Sequence, residues 1–222
     1  ASITASGSTT LCAGSSVVLT AAPATSYLWS NGATTQSISV QSAGSYTVQA
    51  TSNGCSATSL PTVVQVNALP VASITASGPL TFCQGGSVTL SAAPATSYLW
   101  SNGATTQSIT VQNAGTYDVG LTQNGCFAQS APTQVVVQAL PSVSVSASGP
   151  LTFCEGSSVT LTADPANTYA WSNGATTQSI TVSNSATLTL TSSNGVCSAS
   201  SSPLNIQVLA APALSANAGP SA

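Results

Sequence analysis

The side chains of this chain that could do chemistry are few: six cysteines, and three carboxylates at Asp118, Glu155 and Asp164. No lysine, arginine or histidine occurs in its 222 residues, and the formal net charge is −3. General acid-base catalysis needs a titratable group poised near the working pH, and nucleophilic catalysis needs a base beside the nucleophile. With neither His nor Lys to serve, the sequence reads as that of a protein that is not an enzyme and carries no cofactor. The missing cations also argue against nucleic acid and against insertion into or binding on anionic membranes, both of which are engaged first through Lys and Arg. Calcium needs several carboxylate oxygens converging on one ion, and three scattered acids do not supply them, so no metal site is expected.

The cysteines fall into two evenly spaced sets. Cys12, Cys83 and Cys154 stand 71 residues apart, as do Cys55, Cys126 and Cys197, and as do Trp29, Trp100 and Trp171. The string Tyr-Leu-Trp-Ser-Asn-Gly-Ala-Thr-Thr-Gln-Ser-Ile at Tyr27 to Ile38 recurs letter for letter at Tyr98 to Ile109 and as a near copy at Tyr169 to Ile180. Such a period is the signature of tandem modules. The expected organisation is repeat 1 over 1–70, repeat 2 over 71–141, repeat 3 over 142–212, and 213–222 as the start of a further repeat or a tail. The last stretch loosely echoes Ser142 to Pro150, which suggests a piece of a longer parent, and no signal peptide or run of transmembrane length is visible. None of the acids keeps the period: Asp118 aligns with Thr47 and Thr189, Glu155 with Ala13 and Gln84, Asp164 with Ala22 and Ala93. They read as drift on a solvated surface.

The elements that must position these residues show a period of two. In Val17-Val18-Leu19 and its counterparts Val88-Thr89-Leu90 and Val159-Thr160-Leu161, the outer two positions stay aliphatic while the middle one varies. That is a strand with one face in a core. The same comparison sends Ile38, Val40, Val64 and Val66 inward and Val63 outward, with their counterparts. Ile3, Tyr27 with Trp29, and Tyr46 with Val48 complete six or seven short strands per repeat, punctuated by Asn31-Gly32, Asn53-Gly54 and turns containing proline. The expected fold is all-β: three tandem antiparallel β-sandwiches of immunoglobulin type forming a rod, with Trp29, Trp100 and Trp171 in the cores and Tyr46 at the corner before the sixth strand.

Taken together, the motifs Thr81 to Leu90, Tyr98 to Ile109, Ala114 to Tyr117 and Asn124 to Cys126 resemble the Ig-like/PKD-like repeats of large Bacteroidota surface proteins. The resemblance spans the whole chain. It implies a segment of a long array exported by the type IX system and displayed on the cell surface, as in gliding adhesins, and it implies no catalytic residue.

Two cysteines per repeat, with no CxxC and no His, argue for disulfides in an oxidising compartment over zinc. Cys12 precedes the second strand at one pole of a sandwich, whereas Cys55 follows the Asn53-Gly54 hairpin at the other. A strand of about six residues at about 3.3 Å each separates those poles by roughly 20 Å, far beyond the ~4.4–6.8 Å between Cα atoms that a disulfide allows. Strand direction therefore favours Cys12 with Cys126 and Cys83 with Cys197, leaving Cys55 and Cys154 for neighbouring repeats of the same longer chain. The alternative is a bond inside each repeat, Cys12 to Cys55.

Three functional readings follow: a disulfide-stapled structural spacer of an extracellular adhesin or filament, a carbohydrate-binding module gripping surface polysaccharide, and, most remotely, an ice-binding surface. The carbohydrate reading requires an aromatic outside the core, with Tyr27, Tyr98 and Tyr169 as its candidates.

Overall fold

A computed structural model of the protein describes residues 1–212, so the expectation for 213–222 lies outside the described residues. The first 70 residues form β1 (Ile3–Ala5), β2 (Thr10–Cys12), β3 (Val17–Ala21), β4 (Ser26–Trp29), β5 (Ser37–Val40), β6 (Gly44–Tyr46), β7 (Val48–Ser52), β8 (Cys55–Thr58) and β9 (Thr62–Asn67). The same series recurs from Ile74 and from Val145, and none of the described residues is helical. Backbone proximity groups the chain into two compact units, one of Ala1–Gly78, Thr89–Val111 and Thr116–Gln134, the other of Pro79–Val88, Gln112–Gly115 and Val135 onward.

Two layers face each other in the first repeat. One is β1-β3-β5, antiparallel throughout. The other is built from β4-β7-β8 and from β2-β9-β6, in which β2 runs parallel to β9. Only Thr47 separates β6 from β7, and only Ser59, Leu60 and Pro61 separate β8 from β9, so each pair is one interrupted strand. The seven strands that result match the sequence expectation and the immunoglobulin-type arrangement of two facing sheets, antiparallel except where β2 pairs with β9.

The interruption has a cause. The register runs Ser52↔Cys55 to Gln49↔Thr58 in one segment and Tyr46↔Thr62 to Gly44↔Val64 in the other. One strand therefore carries an extra residue between them, the mark of a bulge. Leu60 is thrown outward at 86% exposure, and Pro61 has no N–H to offer the ladder. Ser59 repairs the gap: its N–H donates to the Val48 carbonyl at 3.0 Å, and its hydroxyl accepts the Val48 N–H at 3.1 Å. Ser130 with Val119 and Ser201 with Leu190 do the same. Val48 is fully buried, so removing this acceptor strands a donor away from water. Ser59→Ala is expected to destabilise by about 1–3 kcal/mol, measured by chemical denaturation. Ser45→Ala, on an exposed strand position, is the neutral control.

The core is as alternation implies, with one correction. Val17, Leu19, Trp29, Ile38, Val40, Val48 and Val64 are buried together. Val66, Val137 and Val208, expected inside, are only half-buried; Val66 packs against the core without being enclosed by it. The repeated string around Trp29 is held by its own hydrogen bonds. The indole Nε1 donates to the Thr35 carbonyl (2.8 Å), the Trp29 N–H to Ala33 (2.8 Å), and the Gln36 amide to Ala21 (3.3 Å). Gly32 at φ 86° supplies the left-handed residue that this turn requires. Tyr46 does lie at a corner, its hydroxyl donating to the Ser42 carbonyl at 3.0 Å. Leu188, its counterpart in the third repeat, is simply buried.

Candidate functional site

The residues most able to act are the cysteines, and two short motifs frame them. Cys12 ends β2 beside Asn67 of the parallel β9, and the next residue, Ala13, donates its N–H to the Asn67 carbonyl at 2.8 Å. A tight turn follows, with the Ser15 N–H on the Cys12 carbonyl at 2.9 Å. Cys83 and Cys154 sit in the same frame, opposite Gln138 and Leu209. The second set, Cys55 and Cys126, directly follows a two-residue Asn-Gly hairpin. Asn53 at φ 50° and Gly54 at φ 78°, and Asn124 at 51° with Gly125 at 78°, give the two consecutive left-handed residues of a type I′ turn.

The third repeat departs here. An inserted Val196 widens the hairpin so that Ser193 pairs with Ser198, and Asn194 Oδ1 caps the loop by accepting the N–H groups of Val196 (3.2 Å) and Cys197 (2.8 Å). Cys197 is presented nonetheless.

Cys12 is bonded to Cys126, with 5.5 Å between their Cα atoms, and Cys83 to Cys197, with 5.7 Å. Each bond lies within one of the two compact units, and each links one 71-residue copy to the next. Cys126 and Cys197 are buried to 1% exposure, whereas Cys55 and Cys154 are unbonded and exposed. Sequence reasoning missed the polar contacts that accompany these bonds. Asn67 Nδ2 donates to the Asn124 carbonyl at 3.0 Å beside the first, and Asn194 Nδ2 to the Ala139 carbonyl at 3.2 Å beside the second. Neither amide carried a sequence signal, since Asn and Gln are scattered through this composition and Asn67 lies far along the chain from any cysteine.

The other candidates do not converge. Asp118 accepts a hydrogen bond from the Gln129 side chain, Glu155 is exposed, and among the described residues no group of three or more His, Cys, Asp or Glu side chains could hold a metal ion. Trp29, Trp100 and Trp171 are buried to between 1% and 3% exposure. Tyr27, Tyr98 and Tyr169 are half-buried, and each hydroxyl accepts a backbone N–H three residues upstream at 2.8–2.9 Å. Their polar ends are thus engaged by the fold. An aromatic not singled out from sequence, Phe127, is 58% exposed, its ring lying over Gly120, where a Cβ would come within 2.6 Å of it.

These observations define a class: an all-β chain of tandem immunoglobulin-like sandwiches, stapled from copy to copy by disulfides. No family model and no curated protein matches the chain. Among solved structures, that of murine CEACAM1b matches at 14% identity and a TM-score of 0.34, over 62% of this chain and 99% of that one. The fold assignment stands on the strand pairing described above.

Proposed function

We propose that the chain is a load-bearing structural segment, a spacer or stalk within a long extracellular adhesin or filament of the Bacteroidota surface-repeat kind. The observation that carries this reading is the pairing of Cys12 with Cys126 and of Cys83 with Cys197, which ties each copy covalently to the next. Disulfides form and persist outside the cell or in similarly oxidising spaces. The surface between them is nearly uncharged and rich in hydroxyl groups, suited to display without attracting nucleic acid or anionic lipid. Its nearest partners on this reading are neighbouring repeats of the same longer chain.

Tension applied to the two ends would not follow the backbone. The shortest covalent path uses only 1–12, 83–126 and 197–222, roughly 80 residues of 222, with a disulfide at each change of segment. At about 3.3–3.6 Å per extended residue, complete unfolding should release a contour of roughly 280 Å in the oxidised protein against roughly 760 Å after reduction. Single-molecule extension with and without reductant measures this directly. Full extension without reductant would overturn the load-bearing role.

The carbohydrate reading is favoured by one observation, the exposed Phe127 with Leu99 (59% exposed) nearby across Gly120. That platform occurs in the second repeat alone, since Ser56 and Ser198 stand where Phe127 does. It therefore accounts for less of the chain than a stapled spacer does.

A further inference from the structure

The second repeat departs from its neighbours at four positions that lie together. Asp118, Gly120, Phe127 and Gln129 stand where the first repeat has Thr47, Gln49, Ser56 and Thr58, and where the third has Thr189, Thr191, Ser198 and Ser200. All four lie on or beside one sheet, in which the strands Ser97–Trp100, Val119–Gln123 and Cys126–Gln129 pair antiparallel in that order. In the first and third repeats the same sheet carries hydroxyl pairs, Thr51 with Ser56 at 2.7 Å and Thr191 with Ser200 at 2.8 Å. In the second, a ring, an amide and a carboxylate converge instead. The point where a Cβ on Gly120 would stand lies 2.6 Å from Phe127 Cε2 and 3.2 Å from Gln129 Oε1, and Gln129 Nε2 donates to Asp118 Oδ1. Leu99, opposite Gly120 in register and 59% exposed, forms an apolar flank.

Glycine inside a strand weakens it and marks a close approach to the backbone. Here the Phe127 ring makes that approach. Covering the glycine needs the ring alone, however, and neither the Asp118 carboxylate nor the Gln129 amide is required for it. The patch is also open where the junction beside it is closed: Cys126 is bonded to Cys12 and 1% exposed, whereas Phe127, the next residue, is 58% exposed.

We propose that this patch binds a neutral, glucose-configured saccharide, one ring of which stacks on Phe127 while adjacent hydroxyls meet Asp118 and Gln129. A pyranose whose substituents are all equatorial presents axial C–H groups, an apolar face that suits the face of an aromatic ring. Its neighbouring hydroxyls each donate and accept, which matches a carboxylate acceptor beside an amide that does both. Because Gln129 already donates to Asp118, the polar pair is in place before a ligand arrives. An anionic ligand is disfavoured by Asp118 in a chain with no Lys or Arg. The proposal develops the carbohydrate reading given above, confines it to one repeat, and does not depend on the spacer reading.

The test titrates the isotope-labelled full chain, disulfides intact, with cellotetraose and follows amide shifts by NMR. For a single open platform with Kd on the order of 1 mM, ligand to about 10 mM approaches saturation. The shifts should be confined to Leu99, 118–122 and 127–129, with none at the counterpart positions of the first and third repeats. Phe127→Ser and Asp118→Thr each install the first repeat's own residue, which the fold already accepts. Each should weaken binding about tenfold or more while the rest of the spectrum stays native. The absence of a saturable shift, shifts spread equally over all three repeats, or binding retained by either variant would overturn the proposal. So would saturation by tetramethylammonium chloride without saturation by cellotetraose, which would mark a cation site. None of these outcomes bears on the spacer reading, which the extension experiment with and without reductant decides separately.

Discussion

Trp29→Ala should destabilise the first repeat by about 3–5 kcal/mol, the usual range for emptying a large aromatic site in a packed core. The side chain is 2% exposed and shares its core with Val17, Leu19, Ile38, Val48 and Val64, all of them buried. Two losses combine. Truncation leaves a cavity between the layers, and it strands the Thr35 carbonyl that the indole N–H engages at 2.8 Å. Against the 5–15 kcal/mol typical of a whole domain, such a loss brings a repeat of this size close to unfolding. Denaturant titration should show an early transition of the altered repeat by circular dichroism, with the Trp100 and Trp171 fluorescence persisting to higher denaturant. A shift below about 1 kcal/mol would mean that the indole is not the centre of that core.

The second large effect is expected from the staple. Cys126→Ser frees a connection spanning a sequence separation of 114 residues. Chain entropy alone values so long a loop at nearly 5 kcal/mol, and native disulfides typically contribute 2–5 kcal/mol. The core of the first repeat, from Leu11 to Val64, draws on no residue beyond its own period. The near-UV circular dichroism of the variant should therefore remain native in buffer, while its unfolding midpoint falls and cleavage near Ala68 to Pro70 accelerates. Collapse of the near-UV signal on loss of the bond would instead show that the sandwiches depend on their neighbours to fold.

What could be read from the letters depended on repetition. Val17 and Leu19 announced the core because their counterparts stayed aliphatic while Val18 became Thr89 and Thr160. Val66 passed the same test and is still only half-buried, since periodicity reports which face a residue takes and not how fully it is enclosed. Ser59 was illegible for another reason. In a chain whose surface is largely hydroxylated, the one serine per repeat that mends a bulge looks like all the others. For the cysteines, strand direction argued for opposite poles. The Asn67 and Asn194 amides that border the bonds had no counterpart signal, because each junction uses a different donor.

The two bonds also overlap. One closes a ring over 12–126 and the other over 83–197, and the stretch 83–126 belongs to both. A protease cutting the backbone once anywhere between Cys12 and Cys197 would therefore leave a single covalent molecule, because the cut opens a ring and does not divide the chain. If the proposed array continues the pattern along many repeats, the same overlap would keep isolated scissions from accumulating into breakage. Tolerance of wear is a property distinct from strength, and here it follows from offsetting each bond by one repeat.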